Sequence, residues 1–385
     1  MKNFLKIVSL IMIKIILFPL RVFPIKSDRI IFSGLTGGNM YEYSGNPKYL
    51  CEYLEKNVPR RLQRIWLVKN PSRYQAQYPD ILFIKHYSLK SFYYLMTTPI
   101  IVTNGSYAPW FSFRKKQRLI NTWHGGGAYK RIENDKPDAN KLTKKRAEFA
   151  AKNISLFVSS CKQATALLFR GAFLYQGEVL EVGMPRNDLL VRGDILEGAM
   201  RVRDYYQVAP GEKILLYAPT YRESIKDIQL DGKQLQATLS QNGEIWRILF
   251  RNHRYQVGST SIGIVKAEYT DVSDYPDVQE LLMAADMVIT DYSSLIWDYS
   301  FLARPCFLYV PDVKEYVKQT GFYVEMEKWP FAMATSNEML IDIINNYDAN
   351  ENEKRIKEHH ELMGNCESGK ACEALTEWII KEWNK

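Results

Sequence analysis

From Arg29 onward the chain repeats one pattern: a short apolar or β-branched run, then a longer stretch whose apolar residues recur at helical spacing. The runs are RIIFSG (29–34), RIWLVKN (64–70), ILFIK (81–85), IIVTNG (100–105), RLINTWHG (118–125) and LFVSS (156–160). Strands alternating with helices imply βαβ units and parallel sheets. After EVGMPRND (181–188) a charged, weakly apolar helix is predicted around 190–207. The strand pattern then restarts with KILLYAPTY (213–221), RILFRNH (247–253), GIVKAEY (263–269), DMVITDYSS (286–294) and PCFLYV (305–310). The prediction is an α/β protein with a first domain over 27–190 and a second over 205–365. A final helical run within 366–385 is placed as a C-terminal helix able to cross back onto the first domain. Ligands of open parallel sheets bind at the carboxyl ends of the strands, so loops from both halves are expected to face one cleft.

Residues 1–26 break this pattern. The stretch NFLKIVSLIMIKIILFPLRVFP is apolar, yet Lys6, Lys14 and Arg21 cut it into uncharged runs of seven and six residues. A membrane span needs about 20 predominantly apolar residues. Lys2, Lys6 and Ser9 make a narrow polar stripe beside a wide apolar face, which predicts an amphipathic helix lying in a membrane interface. A single-pass anchor and a helix buried against the protein remain open as alternatives. Pro19 and Pro24 end the pattern with no small-residue cleavage site, which argues against a removable signal peptide.

Composition and charge narrow the function. With 385 residues, 46% of them hydrophobic and 24% charged, the chain has material for two or three folded domains, and wholesale disorder is excluded. Five of the eight net positive charges belong to Lys2, Lys6, Lys14, Arg21 and Lys26. The basic balance therefore points to an N-terminal segment meeting an anionic membrane surface and not to a nucleic-acid partner. Five scattered cysteines without a C-x-x-C spell neither a disulfide framework nor a structural zinc site, and fit a reducing cytoplasm. Only five histidines are present, so no metal centre and no cofactor are expected.

Three segments carry candidate chemistry. In DYPDVQELLMAADMVITDYSSLIWDYS (274–300), the strand MVIT runs into Asp291, Tyr292, Ser293 and Ser294 at the start of a helix. Two hydroxyls and free backbone N–H groups at a helix start suit a phosphate, although Asp291 or Ser293 can equally be a simple cap. In TWHGGGAYK (122–130), His124 ends a strand, Gly125, Gly126 and Gly127 allow close backbone approach, and Lys130 can neutralise phosphate. A histidine there is placed as general base, with a structural turn as the plain alternative. In FRNHRYQ (250–256), His253 lies between Arg251 and Arg254, an anion-attracting arrangement at a strand end. APTYRES and GMPRNDLL add Arg222 and Arg186 beside proline-containing turns, where both can be structural. Asp298 follows on the helix after Ser294. The adjacent His359 and His360 sit in a charged helix and cannot share one face, so they are not read as metal ligands.

Taken in order, TWHGGGAYK, GMPRND, APTYR, RNH, DYPDVQELL and ITDYSSLIWDY resemble the CDP-glycerol glycerophosphotransferase family of teichoic-acid and capsule biosynthesis. The resemblance spans roughly residues 30–380, with TDYSS its most specific part. It implies a GT-B-like pair of Rossmann-type, doubly wound domains facing a cleft, with the nucleotide in the second domain and the acceptor toward the first. It implies a transferase that moves glycerol phosphate, or a related alditol phosphate, from a CDP-activated donor to a hydroxyl of a lipid-linked glycan acceptor, releasing CMP, at the cytoplasmic face of the membrane. His124 would be the base, His253 with Arg251 would hold the diphosphate, and Ser293 and Ser294 would bind phosphate. Asp291 and Asp298 would orient the loop or contact polyol hydroxyls, with Arg222 and Lys130 on the donor side. The short body favours a priming or short-chain enzyme. Gly126 and Gly127 stand where family members often carry threonine and proline. The alternatives are a GT-B glycosyltransferase using a nucleotide sugar and, outside enzymes, a non-catalytic membrane-associated glycan-binding module.

Overall fold

The apolar runs form two parallel sheets. The computed structural model describes residues 17–35, 41–58, 62–105, 113–220, 228–252, 262–265 and 267–384. The first sheet contains β1 Arg29–Ser33, β2 Gln63–Val68, β3 Ile81–Lys85, β4 Ile100–Thr103, β5 Arg118–Asn121, β6 Leu156–Ser159 and β7 Glu178–Glu181. Their order is β3-β2-β1-β4-β5-β6-β7, and every neighbouring pair is parallel. Further along lie β8 Lys213–Tyr217, β9 Ile228–Asp231, β10 Trp246–Phe250, β11 Ile262–Val265, β12 Thr270–Asp271, β13 Met287–Thr290, β14 Cys306–Tyr309 and β15 Ala332–Ala334. The second sheet runs β12-β10-β8-β13-β14-β15, and β9 pairs with β11 separately. β1, β4, β6, β13 and β14 are buried at every position. A parallel strand covered on both faces must be apolar throughout, which is why these segments show no alternation.

Strand order reverses direction between β1 and β4 in one sheet and between β8 and β13 in the other. These are the switch points at which loops diverge and leave room for a ligand.

The chain divides into two compact units. One takes in the residues up to His124, Ile132–Asp188 and those from Cys366 onward; the other takes in Gly125–Arg131 and Leu189–Asn365. In the first, the helix Gly45–Asn57 and the helix Ala371–Trp383 supply Leu50, Leu54, Leu375 and Ile379 to one core with Phe32, Trp66 and Val102. In the second, Leu215, Ile248, Ile289 and Phe307 from the strands pack with Leu235 and Leu340 from helices. The sequence pattern assigns Gly125–Gly127 to the first domain, whereas the structure packs them in the second unit. The cause is local: Lys130 forms an antiparallel bridge with Phe322, and Gly126 lies on Trp297.

Residues 1–16 of the expected interfacial helix lie outside the described residues. Next along the chain, Phe18–Val22 forms a 3-10 turn in which Phe18 is 67% and Val22 85% exposed. Among the described residues no helix is long and apolar enough to cross a membrane. Cys51, Cys161, Cys306 and Cys372 are buried free thiols, and burial pushes Cys161 up to about 12, which disqualifies it as a nucleophile at neutral pH.

Candidate active site

In the first unit the site begins where β5 ends. Asn46, 1% exposed at the start of the helix Gly45–Asn57, donates through Nδ2 to the carbonyls of Thr122 at 3.1 Å and Trp123 at 2.9 Å. That clamp holds Trp123 at φ 55°, a left-handed backbone that costs a side-chain-bearing residue about 1–2 kcal/mol. The turn presents His124 beyond the carboxyl edge of the sheet. Its Nδ1 lies 3.2 Å from the carbonyl oxygen of Asn104, the residue after β4. A carbonyl only accepts, so the proton resides on Nδ1 and the lone pair on Nε2. Asn104 also accepts from the backbone N–H of Leu35, after β1, at 2.7 Å. The loops following β1, β4 and β5 thus meet on one residue beside the switch point.

In the second unit Gly126 has no room for a side chain, and one at Gly125 would fit only if Ser294 shifted. A Cβ on Gly125 would sit 2.8 Å from Ser294 Oγ, and one on Gly126 would sit 1.9 Å from Trp297 Cδ1. Gly127 has φ 67°, the left-handed region that glycine enters without strain. The backbone at Gly125 therefore lies directly against the Ser294 hydroxyl. Ser294 is the N-cap of the helix Leu295–Ser300, yet its side chain makes no capping bond. Ser293 Oγ accepts from the Leu295 N–H at 3.3 Å instead. Six residues make a weak macrodipole, so what this end offers a ligand is its hydroxyl and N–H donors more than the helix field.

Asp291 is 1% exposed, and its carboxylate accepts from the Thr220 N–H at 2.9 Å and the Thr220 hydroxyl at 2.5 Å. Thr220 follows β8 and Asp291 follows β13, so this bond spans the second switch point and holds its two loops at fixed spacing. Asp298, also 1% exposed, accepts from Gln279 Nε2 at 3.0 Å and braces the short helix from behind. Arg251, after β10, donates from Nη1 to the carbonyls of Val272 at 3.0 Å and Tyr275 at 2.8 Å. That geometry gives Arg251 a loop-holding task. His253 and Arg222 lie outside the described residues. Among the described residues no three His, Cys, Asp or Glu side chains gather as a metal site requires.

Sequence reasoning missed the supports. Glu367 accepts from the Met184 N–H at 2.8 Å and from Asn187 Nδ2 at 2.9 Å. Asp188 accepts from the N–H groups of Ala371 and Cys372, both at 2.8 Å, at the start of the C-terminal helix. The GMPRND segment therefore anchors residues 366–372 within the first unit. Asn46 gave only a weak signal, because a polar residue opening a helix reads as a cap, and Asn104 and Glu367 gave none.

Comparison with known proteins adds to this geometry. A family model described as CDP-Glycerol:Poly(glycerophosphate) glycerophosphotransferase matches residues 15–381. A teichoic acid poly(glycerol phosphate) polymerase of Bacillus spizizenii is 27% identical over 372 residues, 93% of each chain. One from Staphylococcus epidermidis is 28% identical over 93% of this chain, and against that longer relative the chain spans 51% of the length. A solved structure of the wall teichoic acid polymerase TagF soaked with CDPG superposes with a TM-score of 0.79 at 28% identity, covering 94% of this chain and 90% of that one.

Proposed function

The chain belongs to the CDP-glycerol:poly(glycerophosphate) glycerophosphotransferase family, and from that premise we propose that it transfers glycerol phosphate from CDP-glycerol to a hydroxyl of a lipid-linked glycan in teichoic-acid synthesis. The acceptor oxygen attacks the phosphorus distal to cytidine, the bond from that phosphorus to the bridging oxygen breaks, and CMP leaves with that oxygen. Such a reaction needs positioning, removal of one proton and neutralisation of phosphate charge. His124 Nε2, holding the lone pair, takes the acceptor proton. Ser294, Ser293 and the backbone at Gly125 bind donor phosphate, and Lys130, Arg222 and His253 supply charge. Arg251 and Asp291 keep the loops after β10 and β13 in place. No cofactor or divalent metal takes part.

The observation that carries this reading is the Ser294 hydroxyl, left out of capping and faced by a glycine whose Cβ would strike it. Glycine lets the backbone come close to a neighbouring group or a ligand, and a half-buried hydroxyl at a helix start outside capping can donate to a phosphate. We further propose that residues 1–26 hold the enzyme at the cytoplasmic face of the membrane, where their five cations each contribute about 1 kcal/mol near an anionic surface.

The test offers the protein CDP-glycerol, CDP-ribitol and a panel of nucleotide sugars on native membranes, with and without EDTA. CMP from CDP-glycerol, unaffected by EDTA, is the expected product. UDP or GDP from a nucleotide sugar would mean a glycosyltransferase, and nucleotide binding without any turnover would mean a binding module.

A further inference from the structure

The helix Ala349–Met363, rich in charge and solvated by its sequence pattern, nevertheless carries His359 at 2% exposure. Adjacent residues on a helix point in different directions, and the two histidines here grip two different parts of the second unit. His359 Nδ1 lies 2.8 Å from the carbonyl of Lys328, so Nδ1 carries the proton and Nε2 accepts from the Tyr129 hydroxyl at 2.8 Å. Tyr129 belongs to the glycine turn, and its own carbonyl accepts from the Tyr323 N–H at 2.8 Å. His360 has the opposite polarity. Ser300 Oγ donates to the Trp297 carbonyl at 2.7 Å and accepts from His360 Nε2–H at 2.7 Å. Ser300 ends the helix that Ser294 begins, and the His360 ring stacks on Phe301 at 4.7 Å.

We propose that His359 and His360 are positioning residues for the donor site, one fixing the glycine turn through Tyr129 and the other fixing the helix Leu295–Ser300 through Ser300. Together they set the gap between the Gly125 backbone and the Ser294 hydroxyl. Trp297 fills the space behind that gap: it is fully buried, meets Gly126 on one side and lies 5.2 Å from the His360 ring on another. Burial holds both imidazoles down at about 4, so the donor and acceptor pattern survives throughout the neutral range. Neither histidine touches substrate. The inference rests on the phosphate-binding role proposed for Ser294.

Three variants test it, with donor KM and kcat for CDP-glycerol, CDP affinity by calorimetry and melting temperature measured on each. Tyr129→Phe removes one hydroxyl and keeps the ring. His360→Leu removes the bond to Ser300, and His360→Gln restores an N–H donor. Losing one buried hydrogen bond that sets geometry is expected to raise donor KM and CDP Kd about 10-fold in Tyr129→Phe and His360→Leu, with kcat within about twofold. His360→Gln is expected to return most of the affinity. Unchanged KM and Kd in Tyr129→Phe, with wild-type turnover intact, would overturn the inference alone even where His360→Leu fails to fold. A wild-type protein that neither releases CMP from CDP-glycerol nor binds CDP would overturn the donor-site reading and this inference with it.

Discussion

Gly125 and Gly126 are neighbours in the chain, but a methyl group would meet different surroundings at each. At Gly126 it would strike Trp297, which is fully buried and cannot move aside, so Gly126→Ala is expected to destabilise the protein by about 2–3 kcal/mol. At Gly125 it would meet the tip of Ser294, which can rotate. Gly125→Ala is therefore expected to melt near the wild-type temperature and to bind donor about 10-fold more weakly, the equivalent of about 1.4 kcal/mol. Melting curves with donor KM separate the two. His124→Ala is expected to lower turnover about 10²-fold with folding intact, the scale of a lost general base. Asn46→Ala should give a smaller loss of turnover together with a lower melting temperature, because it releases two buried carbonyls at once. His124 and Ser294 could be singled out in the sequence because they sit among glycines and small hydroxyl residues at strand ends. Asn46, Asn104 and Glu367 could not, since their partners lie 76, 69 and 183 residues away.

At the scale of elements, the strands buried at every position showed most plainly in the sequence, and the edge strand β3 showed as well because Ile81, Phe83 and Ile84 are buried. β7 has exposed residues at both ends, and β12 and β15 are two and three residues long. All three lie at sheet edges, where one side needs no apolar cover, and their sequences carry little signal. Helix length was equally hidden: the helix opened by Ser294 stops after six residues, because the turn at Phe301–Ala303 comes directly after it, Ala303 having φ 50°. The charged helix Ala349–Met363 misled for a different reason. Its acidic and basic residues describe a wet face correctly, while the polar His359 and His360 gave no hint that they face inward.

The whole molecule should respond to acid through its buried histidines. Burial lowers His86, His359 and His360 to about 4, below the ordinary value of 6.5. Between those values the unfolded chain binds more protons than the folded one, so stability rises with pH. The contribution is present above pH 6.5 and is lost as pH falls toward 4. Melting temperature is therefore expected to decline across that window, and His86→Gln should flatten the decline; an unchanged slope would show that His86 does not contribute to it. At the same scale, removing residues 1–26 is expected to leave donor binding intact and to slow turnover on membrane-embedded acceptor, checked by comparing CDP affinity with rates on native membranes. Protein that retains full membrane activity without those residues would contradict their role as a tether.

Phosphoryl transfer is distinguished from glycosyl transfer by the fate of one atom. CDP-glycerol labelled with ³²P at the phosphorus distal to cytidine, incubated with the protein and native membranes, follows that atom directly. Attack at that phosphorus moves the label into the lipid-linked acceptor and releases unlabelled CMP. Label retained in a released nucleoside diphosphate, with an unlabelled acceptor, would contradict glycerol phosphate transfer.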